Sequence, residues 1–280
     1  MAFISIMQGR LGPPEDSRFQ SFPRHHWPNE FEQASIAGLN GIEWIYDEYG
    51  ADANPLLNPA KWETAAALSK QHKVAVHSVC ADYFMDHPIL RQEGEEQNAL
   101  LRQFIELIRR CGVIGMSRIV VPFVDISRIQ SPDDAESLVR FIEAAVPTAV
   151  DAQVEIHLET DLAPAPFAAL LDRLDYPVVK ANYDSGNSAS LGYDCRDEFA
   201  AYGSRIGSVH IKDRVVGGGT VPLGSGNADL PALFRELKAV QYSGHYVLQV
   251  ARGEAGKETE LAARNRIYVE KLLTDAGLQV

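Results

Sequence analysis

Strict alternation is the feature that most constrains this chain. Eight short apolar runs with strand character are each followed by a stretch of helical periodicity. The runs cover 3–7, 41–46, 74–79, 118–123, 154–159, 178–184, 206–210 and 245–249. The spacing predicts helices over 28–37, 59–70, 95–110, 133–150, 166–174, 197–202, 231–240 and 258–276. Two of these have a Pro start signal (Pro59, and Ser131-Pro132), and the 95–110 segment puts Leu100, Leu101, Phe104, Ile105 and Ile108 on one stripe. Strands joined through helices pair in parallel by right-handed crossovers, and eight such units close on themselves. The expectation is an α/β chain forming one (β/α)8 barrel over 1–280, close to the usual size of about 250 residues for that architecture.

Composition narrows the function. A formal net charge of −12 excludes a protein that grips nucleic acid through its phosphates. Cys80, Cys111 and Cys195 form no Cys-x-x-Cys pair and suggest a reducing compartment. No run approaches the roughly 18 apolar residues of a membrane span, and the start lacks the basic, apolar pattern of a leader. A cytoplasmic protein without membrane or nucleic-acid partners is expected. The Gly-rich stretch 217–226 lacks dinucleotide-binding spacing and reads as a mobile loop or small hairpin over the barrel mouth.

Four runs end in chemistry. Glu159, Asp184, His210 and Gln249 stand at the carboxyl ends of the last four strands, where barrels of this kind gather their reactive groups. The first three are 25 and 26 residues apart, one compact strand–helix unit each. Residues two apart share a face, so Glu155, His157 and Glu159 point inward together, as do Ser208, His210 and Lys212. Three oxygen donors and an imidazole suit a divalent ion of the Mn, Zn or Mg type. His157, one layer below Glu159, is placed to orient it. Lys212, Arg252, His77, Gln8, Arg10 and Glu43 are further candidates for contact with hydroxyls or an anionic group, and Trp27, Trp44, Tyr83 and Phe84 for either a sugar wall or core.

At these residues the chain resembles the sugar-phosphate isomerase/epimerase family, the xylose-isomerase-like TIM barrels, and within it the L-ribulose and L-xylulose 5-phosphate 3-epimerases. The segments 183–187 (Tyr-Asp-Ser-Gly-Asn), 208–213 (Ser-Val-His-Ile-Lys-Asp) and 221–227 (Val-Pro-Leu-Gly-Ser-Gly-Asn) are similar to that family's motifs. The resemblance implies metal ligation by Glu159, Asp184 and His210, a substrate contact at Asn187, and a sugar or sugar-phosphate substrate. Gln249 falls where the family has a second glutamate that ligates and exchanges a proton. An amide can give its oxygen to a metal but accepts no proton at neutral pH.

The chemistry expected is enediolate formation with Glu159 as base, giving isomerisation or epimerisation. Alternatives are a lyase or dehydratase acting on a related polyol or keto-sugar, and a non-catalytic sugar binder that has lost its second glutamate. An apurinic-site endonuclease shares the barrel but needs more histidines and a basic surface. Pairing into a homo-oligomer through the outer helices is allowed by the stripe on 95–110.

Overall fold

Val, Ile and aromatic residues dominate the apolar runs, which favours extended backbone on a buried surface. In a computed structural model, which describes residues 2–279, these runs are β1 (Phe3–Met7), β2 (Gly41–Ile45), β3 (Ala75–Cys80), β4 (Arg118–Phe123), β5 (Glu155–Thr160), β6 (Val179–Asp184) and β7 (Ile206–Ile211). A hairpin of β8 (Asp213–Arg214) and β9 (Thr220–Val221) follows, and β10 (His245–Leu248) completes the set. The eight long strands close a parallel barrel in the order β1-β10-β7-β6-β5-β4-β3-β2. The Gly-rich stretch is the hairpin alternative, with β8 and β9 antiparallel.

Eight helices wrap the barrel: α1 (Trp27–Ile36), α2 (Pro59–His72), α4 (Gly94–Ile114), α5 (Pro132–Ala152), α6 (Pro164–Arg173), α8 (Cys195–Tyr202), α9 (Leu230–Ala239) and α10 (Glu258–Asp275). The long α4 overruns its expected end because Cys111 still faces the core, and it stops where Gly115 turns left-handed at φ 82°. Ser131 caps α5 by accepting the Asp134 amide. Two short helices were not expected: α3 (Tyr83–Asp86) and α7 (Ser185–Leu191). Val74 belongs to the turn after α2, its amide bonded to the Ser69 carbonyl, so β3 begins one residue later than expected.

The packing follows strand parity. Ile156, Leu158, Val209 and Ile211 face the helices and are wholly buried. Trp27, Trp44 and Phe84 are core residues, so that reading displaces the sugar-wall one. Register brings the chemistry to one level, because His210 is paired with Asp184 on one side and Val247 on the other. Among the described residues no helix is long and apolar enough to cross a membrane.

Candidate metal centre and its cleft

Glu159, Asp184 and His210 each direct one donor atom to a common point, all within 4.8 Å of one another, and all three side chains are buried. His210 Nδ1 lies 3.2 Å from Glu159 Oε2 and 4.0 Å from Asp184 Oδ2. The other ring nitrogen, Nε2, donates to Glu43 Oε1 at 2.6 Å. This fixes the ring and leaves Nδ1 facing the two carboxylates, where it has no hydrogen-bond partner. Burial alone would lower the imidazole pKa, yet Glu43 and Glu159 raise it well above the ordinary value. The pocket therefore demands positive charge at that point, from a proton or a metal cation. An orphaned imidazole lone pair between two carboxylates fits a divalent ion.

Each carboxylate is held on its far side. Asp184 Oδ1 caps α7 by accepting the Gly186 and Asn187 amides at 2.9 and 2.8 Å, leaving Oδ2 for the centre. Glu159 Oε2 accepts from Asn182 Nδ2 and Oε1 from Asn187 Nδ2, both at 2.7 Å. His157 does not touch Glu159. Its Nδ1 meets Ser208 Oγ at 2.6 Å, Ser208 donates to Asn182 Oδ1 at 2.6 Å, and Asn182 reaches the carboxylate. Orientation from the layer below is thus relayed through two residues.

The centre opens into a cleft of about 270 Å³ that Glu159, Asn187, Lys212 and Gln249 share. Lys212 Nζ stands among Gln249 Oε1, Asn187 Oδ1 and Asp184 Oδ2 at 3.0, 3.3 and 3.4 Å. Its stem passes so close to Gly186 that a Cβ there would meet Cγ at 2.5 Å, which is why the residue after Ser185 has no side chain. Gln249 Nε2 donates to Gln20 Oε1 at 3.1 Å, and Gln20 in turn donates to Asp82 Oδ2 at 2.7 Å. A polar bridge therefore crosses the mouth from β7 to the end of β3.

Other expected contact residues lie elsewhere. Arg10 donates to the carbonyls of Val250 and Phe19 and to Gln20 Oε1, while Arg252 donates to the carbonyls of Phe19 and Gly12. Together they pin the 12–20 loop across the barrel rim. Gln8 accepts the Ile45 amide and ties β1 to β2. His77 packs with Phe3 and His245 at the opposite, amino-terminal end of the strands. Sequence reasoning passed over Asn182, Gln20, Asp82 and Arg214. Parity would have found Asn182, two residues before Asp184; Gln20 and Asp82 come from loops, and Arg214 from the two-residue strand β8, whose course no local pattern signals.

A closed parallel barrel with a buried Glu–Asp–His group at the carboxyl ends of its strands defines a class of barrel proteins built to hold a small ligand there. The chain matches the xylose isomerase-like TIM barrel family over residues 31–271 and belongs to that family. It is 24% identical over 273 residues to the L-ribulose-5-phosphate 3-epimerase UlaE of Salmonella paratyphi A, covering 90% of this chain and 92% of the relative. Its fold is similar to that of an L-ribulose 3-epimerase (TM-score 0.77, 17% identity, 99% and 96% of the two chains). It is also similar to a xylose isomerase-like TIM barrel protein from Mycobacterium smegmatis in complex with magnesium (TM-score 0.70, 17% identity, 97% and 96%).

Proposed function

We propose that this protein is a divalent-metal-dependent sugar epimerase or isomerase that moves a proton at a carbon beside a carbonyl. The observation that carries the reading is the convergence of the Glu159, Asp184 and His210 donor atoms within 4.8 Å at the base of the cleft. In this reading those three residues hold the ion, with the Gln249 amide oxygen as the neutral fourth donor. A bound Mn, Mg or Zn ion supplies Lewis acidity, which makes the carbon between carbonyl and hydroxyl acidic.

The remaining work belongs to the side chains. Glu159 removes the proton as general base, its carboxylate held in place by Asn182 and Asn187. Asn187 and Lys212 hold substrate hydroxyls, and Lys212 offsets the negative charge that develops on oxygen. Glu43 keeps the His210 ring aimed at the centre. The supporting relatives are named epimerases, which favours return of the proton to the same carbon.

The test is incubation of Mn-loaded protein with L-ribulose in deuterated buffer. Deuterium at the carbon beside the carbonyl, together with an epimeric product and loss of both on chelation, is the expected result. Product without solvent deuterium and without metal dependence would overturn the reading.

A further inference from the structure

The amino-terminal mouth of the barrel, at the far end from the candidate metal centre, holds a second polar cavity. It measures about 460 Å³, large enough for a small organic molecule. Arg118 opens β4, Glu155 opens β5 and His245 opens β10, so the floor is built from the starts of three strands. Ser117, Gln153, Ser204, Gln241 and Ser243 ring the entrance and are exposed. None of these five carries a charge.

Arg118 sets the character of the floor. It is only 6% exposed, yet it forms no ion pair among the described residues. Among those residues its one hydrogen bond runs from Nη2 to His245 Nδ1 at 2.5 Å, and Nε is buried without a partner. His245 offers no counter-charge: burial, then Arg118 and His77, hold its imidazole down at about 3, so the ring is neutral. The nearest carboxylates are engaged elsewhere. Glu155 Oε1 accepts from Lys180 Nζ at 2.5 Å, and Oε2 lies 2.9 Å from His157 Nε2. Burial pushes that carboxyl up, but its contacts with His157 and Lys180 hold it at about 2, so its charge balances the lysine. Glu43 feels the guanidinium's field but turns Oε1 to His210 in the barrel interior. A buried cation left unpaired is costly, so this one calls for an anion from outside.

We propose that this cavity binds a hydroxylated monocarboxylate, its carboxylate on Arg118 and its hydroxyls among the serines and glutamines of the entrance. One uncompensated guanidinium matches one carboxylate. The uncharged ring supplies donors and acceptors for hydroxyls, and Glu155 on the wall opposes the second charge of a phosphate. The site needs no metal and is independent of the epimerase reading above.

The experiment is calorimetric titration of D-gluconate into the full chain, once with chelator and once Mn-loaded, beside acetate and inorganic phosphate. D-Gluconate is expected to bind with the same affinity, within about twofold, in both states, and at least about threefold more tightly than either comparator. Arg118→Gln is expected to weaken it at least about tenfold. Ser243→Asp places a carboxylate at an exposed point of the entrance, leaves the core alone and is expected to weaken it about three- to tenfold. No binding, binding only with Mn, or an affinity unmoved by Ser243→Asp overturns the proposal. Phosphate binding as tightly as D-gluconate overturns the carboxylate assignment.

Discussion

His210 Nε2 and Glu43 Oε1 lie 2.6 Å apart, and neither side chain has any exposure to solvent. Burial pushes the Glu43 carboxyl upward, but His210 holds it below the usual range, so the carboxylate stays ionised and locks the ring through its Nε2–H. Removing the carboxylate frees the ring to rotate and makes its Nδ1 a poorer donor. Glu43→Gln is expected to weaken Mn binding about 10- to 100-fold, read by metal titration, with activity partly restored at saturating metal. Unchanged affinity would mean that the imidazole is not a ligand.

Asn182 lies at the end of the relay from His157 and donates to the oxygen of Glu159 that faces the centre. Asn182→Ala leaves that buried carboxylate oxygen short of a donor, a loss of about 1–3 kcal/mol. Turnover is expected to fall about tenfold or more with KM little changed, because the base is mispositioned while the cleft wall is intact. Steady-state kinetics on the chosen ketose check this. An equal rise in KM would place Asn182 in substrate binding instead.

Gln249 stands where the family resemblance implies a glutamate. Its oxygen accepts from Lys212 at 3.0 Å, so a carboxylate there would form an ion pair and add a negative charge beside the centre. Gln249→Glu is expected to tighten Mn binding by about tenfold or more, since cation affinity follows ligand charge. A large gain in turnover in the same variant would mark the native chain as a sugar binder that has lost a catalytic group; similar turnover would show that the amide is sufficient.

The barrel was legible because its signal is global: eight repeats of a two-residue and then a 3.6-residue period leave few alternatives. The convergence of the candidate centre was legible for the same reason, since strand ends and parity bring Glu159, Asp184 and His210 together without any knowledge of loops. Lys212 came with its strand, while Asn187 was named only through the family resemblance. The loop-borne part was not readable. Gln20 reaches the mouth only because Arg10 and Arg252, from two different strand ends, hold the carbonyls of residues 12 and 19. The α7 helix was hidden because its seven residues are Ser, Gly, Asn, Ala and Leu; its start is set by the Asp184 cap rather than by periodicity. His77 was misleading because parity gives the face of a strand but not the end from which the side chain is reached.

Glu30 offers a test of the rim independent of chemistry. It is wholly buried, and burial lifts its carboxyl to about 8, although it accepts the Gly9 and Leu11 amides. A pKa raised on folding contributes stability that is full below the unfolded value and is lost as pH rises to the folded one. From about pH 4.5 to 8, Glu30 should therefore cost stability at on the order of 1.4 kcal/mol per pH unit. Glu30→Gln mimics the protonated acid, and its urea-unfolding stability is expected to fall less steeply over that window than the native protein's. Parallel curves for the two would refute the assignment.

In the proposed mechanism Glu159 takes the proton at a centre it also helps to hold. The most direct measurement is deuterium uptake from solvent into L-ribulose by Glu159→Gln, with Mn binding recorded on the same preparation. The variant is expected to retain Mn, more weakly, through Asp184, His210 and the new amide, while uptake falls at least about a thousandfold. Uptake at the native rate by a Mn-loaded variant would contradict it.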